Sequence, residues 1–137
     1  MISVPTARAL RTSGVTWDPA SGDRFVIADR DMDDEVFVLS ELVVEAHEHS
    51  TGRFLGFNGT TEWALDSVDV EQAVWLPREG QLRELLGAAF VALEQRADQL
   101  VVRTRDAEGE HASAADDAEE AYALAVLGAR ARTARAG

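Results

Sequence analysis

The chain has no cysteine and no lysine, and only three histidines and three prolines in 137 residues. Without cysteine there is no disulfide framework, no thiolate nucleophile and no zinc–thiolate site. No apolar run approaches the roughly 20 residues needed to span a bilayer. The opening Met1-Ile2-Ser3-Val4-Pro5-Thr6-Ala7-Arg8 lacks the basic segment and long apolar stretch of a secretory signal. A cytoplasmic protein with no membrane contact is expected. All 13 basic residues are arginine, which with the abundant alanine is the codon signature of a GC-rich bacterial genome. They face 25 acidic residues, leaving a net charge of −12. Such a surface repels phosphate backbones, so nucleic-acid binding is not expected; a basic protein partner would be attracted.

Hydrophobic residues make up 46% of the chain, enough for a packed core in one domain without staples. The centre of the pattern is Val74-Trp75-Leu76-Pro77-Arg78-Glu79-Gly80-Gln81 and the run that follows. Leu82, Leu85, Leu86, Ala89, Phe90 and Leu93 recur at helical spacing, which predicts one apolar face of a helix with Pro77 in its first turn. Before it, Thr6 to Ser13 reads as a short helix stopped by Gly14. Val15 to Pro19 reads as extended, with Trp17 packing, and Pro19 to Asp23 as a turn. Arg24–Ala28, Glu35–Leu39, Leu42–Glu48 and Arg53–Phe57 read as strands, with a further short one at Glu62–Leu65. After it, Gln99–Arg105 and Glu110–Ala114 form a hairpin around Asp106-Ala107-Glu108-Gly109. The last helix opens at an Asp116 cap with Glu119 three residues on. The expected architecture is α+β, an antiparallel meander plus a C-terminal hairpin with helices mainly on one face. It is expected as a single domain over residues 1–128, with 129–137 as a basic, alanine-rich tail, frayed or disordered.

Three groups of side chains invite chemistry. Asp29-x-Asp31-x-Asp33 matches the first half of a calcium loop, but Asp34 stands where glycine is required and Ser40 where a bidentate glutamate is required. Glu45, His47 and His49 alternate along a predicted strand, so two imidazoles and a carboxylate share one face and form a candidate transition-metal set. The blander reading is preferred for both, a solvated acidic loop for the first and the polar face of an edge strand for the second. The turn Gly56-Phe57-Asn58-Gly59-Thr60-Thr61-Glu62-Trp63 lacks the glycine spacing and lysine of a phosphate-binding loop. With Asn58, Thr60, Thr61, Glu62 and Trp63 it instead sets polar groups beside an aromatic ring, as recognition loops do. No serine lies in a nucleophile motif, and no catalytic residue or cofactor is assigned.

The blocks Asp33-Asp34-Glu35-Val36-Phe37-Val38, Gly56 to Val68 and Trp75 to Gly87 resemble a group of small actinobacterial proteins labelled pilus-assembly protein CpaE. The resemblance covers most of residues 3–127. Trp75-Leu76-Pro77-Arg78, the hairpin and the Glu-Glu-Ala-Tyr helix are also similar to small phage-associated proteins. The resemblance implies association with pilus-assembly machinery and transfers no catalytic residue. The expectation is a non-enzymatic interaction or accessory module with a basic protein partner, a homodimer being the assembly considered. The alternative is a metal-binding protein or metal-dependent enzyme using Glu45, His47 and His49. A third reading is an acidic mimic of nucleic acid.

Overall fold

The computed structural model describes residues 1–27, 36–39, 46–49, 52–56, 67–69 and 73–136, with 46–49, 52–56, 67–69 and 136 described by backbone alone. In chain order come α1 (Val4–Thr12), β1 (Arg24–Ile27), β2 (Phe37–Val38), β3 (Ala46–His49), β4 (Gly52–Gly56), β5 (Ser67–Asp69), β6 (Ala73–Leu76), α2 (Glu79–Leu86), β7 (Phe90–Arg96), β8 (Gln99–Asp106), β9 (Gly109–Ala115) and α3 (Ala118–Ala136). The strands form three antiparallel sheets, ordered β2-β1-β6, β3-β4-β5 and β7-β8-β9. The fold is α+β. Two compact units can be distinguished, Met1–Val15 with Pro77–Gly137, and Thr16–Leu76.

In the discontinuous unit, α1 opens at Ser3, whose hydroxyl accepts from the Thr6 N–H. It closes on Gly14, at φ +101°, with Val15 N–H reaching Leu10 C=O and Gly14 N–H reaching Arg11 C=O. That is a Schellman ending, and it needs a residue without a Cβ at the left-handed position. α3 packs on α1, on α2 and across β8 and β9. Ala121, Tyr122, Ala123, Ala125 and Val126 of α3 are buried with Leu82 and Leu86 of α2, Val102 of β8, and Ala7 and Leu10 of α1. The Tyr122 ring stacks on Phe90 at 5.8 Å, and the Arg83 guanidinium caps Phe90 at 4.2 Å.

The central helix is shorter than its periodicity predicts. α2 ends at Leu86, Gly87 turns the chain at φ +56°, and a 3-10 turn over Gly87–Ala89 leads into β7. Phe90 and Leu93 therefore belong to a strand, and Leu85 is 41% exposed. Phe-Val-Ala-Leu suits a strand as well as a helix, and pairing against β8 decides for the strand, with Leu93 opposite Val102. Pro77 likewise precedes the helix, whose cap is Arg78. The predicted hairpin is present as β8 and β9, extended by β7 to three strands. The cap of α3 falls one residue after Asp116: Ala121 N–H bonds to Asp117 C=O, and the Asp117 carboxylate receives the Glu119 and Glu120 N–H groups. The basic, alanine-rich residues 129–136 continue α3.

In the unit spanning Thr16–Leu76, β1 pairs with β2 on one side and β6 on the other, Phe25 facing Phe37 and Trp75. Phe25, Ile27, Leu39 and Ala73 form a buried cluster with Trp17 and Phe37 packed against it. Trp17 stacks on Trp75 at 6.5 Å and tilts on Phe25 at 5.6 Å. Asp23, 2% exposed, fastens the turn before β1: its Oδ2 accepts from Trp17 Nε1 at 2.9 Å and from Ala20 N–H at 3.0 Å. A buried carboxylate needs such donors, and these fix the Trp17 ring in place. β3, β4 and β5 form an up-and-down meander, in which His47 pairs with Phe54 and His49 with Gly52.

Candidate functional site

The most concentrated polar chemistry among the described residues lies where the β8–β9 turn meets α3. Alternation along β8 puts Val102, Thr104 and Asp106 on the side of the sheet that α3 covers, and pairing puts His111 opposite Thr104 on that side. Asp106 Oδ2 accepts from Arg132 Nε at 2.7 Å, and Asp106 Oδ1 lies 3.0 Å from His111 Nε2. Within the turn the Glu108 N–H donates to Asp106 Oδ1 at 2.8 Å, and the Glu108 carboxylate lies 3.9 Å from Arg132 Nε. The hydrogen bond from His111, then that from Arg132, hold the Asp106 carboxyl down at about 2. Ligand atoms of Asp106, Glu108 and His111 all lie within 4.8 Å of one another, close enough for one cation. The Arg132 guanidinium already supplies that positive charge, and its side chain is only 15% exposed. A divalent ion would have to displace it. As built, the cluster is an ion-pair latch fastening the hairpin turn to α3.

A second cluster surrounds the first turn of α3. Glu119 Oε2 accepts the Glu79 N–H at 2.8 Å and so satisfies the start of α2. Glu120 accepts from Ser3 N–H at 3.0 Å and from the Thr6 hydroxyl, which holds the start of α1. The Met1 amine lies 2.9 Å from Asp117 and 3.3 Å from Glu119. The hydrogen bond to Asp117 raises the amine pKa, and the same contact lowers that of Asp117. On the opposite face of the β7-β8-β9 sheet, Arg103 bridges Glu94 at 2.9 Å and Glu110 at 2.8 Å. Both carboxyls are lowered by Arg103, whose own pKa is raised first by Glu110. Tyr122 moves upward, because burial disfavours its phenolate.

The residues singled out from the sequence fall elsewhere. Asp29, Asp31, Asp33, Glu45, Asn58, Thr60, Thr61, Glu62 and Trp63 lie outside the described residues, and His47 and His49 are placed by backbone on β3. The Asp106 latch was partly visible as Asp-x-Glu-x-x-His across a turn, but its Arg132 partner is 26 residues away and no spacing rule reaches it. No helix among the described residues is long and apolar enough to cross a membrane. No family model, curated protein or solved structure matches this chain.

Proposed function

We propose that this protein is a non-enzymatic interaction or accessory module whose acidic surface meets a basic protein surface. The observation that carries the reading is the direction of titration. Glu94 and Glu110 are displaced downward first by a hydrogen bond from Arg103, Asp117 first by one from the Met1 amine, and Asp106 first by one from His111 and then by one from Arg132. Carboxyls engaged in general acid–base catalysis near neutral pH are raised toward the working pH instead. These four stay charged and pair within the fold, so a basic partner would meet the surplus acids of a chain whose net charge is −12. Association with pilus-assembly machinery, implied by the resemblance to the small actinobacterial proteins, is one setting for such a module.

The test is affinity capture of the tagged full chain from its source cells, washed through rising salt and read by mass spectrometry. Basic proteins released as salt increases are expected. Capture of nothing beyond what an equally acidic control protein retains would overturn the reading.

A further inference from the structure

We draw no further inference here: the strongest candidate, the side-chain cluster of Asp106, Glu108 and His111 at the β8–β9 turn, belongs to the site already described, and the Arg132 guanidinium holds the place a cation would take.

Discussion

In the unit built from residues 1–15 and 77–137, elements are joined by charge: Arg132 on Asp106, Arg103 between Glu94 and Glu110, and Glu119 and Glu120 on the starts of α2 and α1. In the unit spanning 16–76, the described elements are joined by rings: Phe37 on Phe25, Phe25 on Trp17 and Trp17 on Trp75, with Asp23 buried beneath a tryptophan N–H. The first arrangement responds to pH and salt, while the second responds mainly to lost packing. The sequence supplies a reporter for each, because all three tryptophans (Trp17, Trp63 and Trp75) lie in 16–76 and the single tyrosine, Tyr122, lies in the other unit.

The largest effects should come from the cores. Phe25→Ala removes a fully buried ring and is expected to cost about 3–5 kcal/mol, Leu82→Ala about 2–5 kcal/mol. Tryptophan emission should follow the first substitution, and helical circular dichroism the second. If both signals shift together in both variants, the units unfold as one and the contrast drawn above dissolves.

Gly14→Ala should follow, at about 1–2 kcal/mol, because φ +101° strains any residue with a Cβ. The Arg130 guanidinium tip, 2.8 Å from that Cβ, can swing away, so backbone strain sets the effect. Denaturant titration read by helical signal measures it.

The pH response is smaller and belongs to the charged unit. The Asp106 carboxyl sits at about 2 in the folded chain against 3.8 ordinarily. A lowered folded value stabilises the fold above the ordinary pKa, and the stabilisation fades as pH falls from about 4 toward 2. The stability difference between wild type and Asp106→Asn should be full at neutral pH and shrink across that window. A difference that is flat with pH would remove Asp106 from the latch. Smallest of all should be the response to zinc or nickel, for which no rise in melting temperature is expected. A rise abolished by His47→Ala with His49→Ala would make β3 a metal site.

Much of the charged unit was legible in the sequence because its signals are local. Gly14 closing α1, the β8–β9 hairpin and the capped opening of α3 each rest on residues within a few positions of one another. The central helix misled because Leu82 to Leu93 satisfies a helical period, while Gly87 and the competing pairing of Phe90–Leu93 with β8 depend on a left-handed turn and a partner strand. The Asp106–Arg132 contact was illegible for the same reason: it joins two elements whose approach only the tertiary fold decides. Residues 29–33 and 58–63, where the sequence drew attention, lie outside the described residues.

The route by which α1 finds its place has a temporal consequence. Ser3 and Ser13 contact Glu120 and Arg130 across 117 positions of chain, with residues 16–76 intervening as a contiguous unit. During synthesis from the N-terminus at roughly 5–20 residues per second, α1 emerges before residues 16–76 and its docking helix after them. For several seconds the apolar side of α1, Ala7 and Leu10, has no native partner, while the chain for 16–76 is already complete. The contiguous unit is free to fold on the ribosome, and the discontinuous one closes only once α3 has been made. A ribosome stalled shortly before Glu120 should therefore hold a chain with native tryptophan emission and an α1 still open to protease.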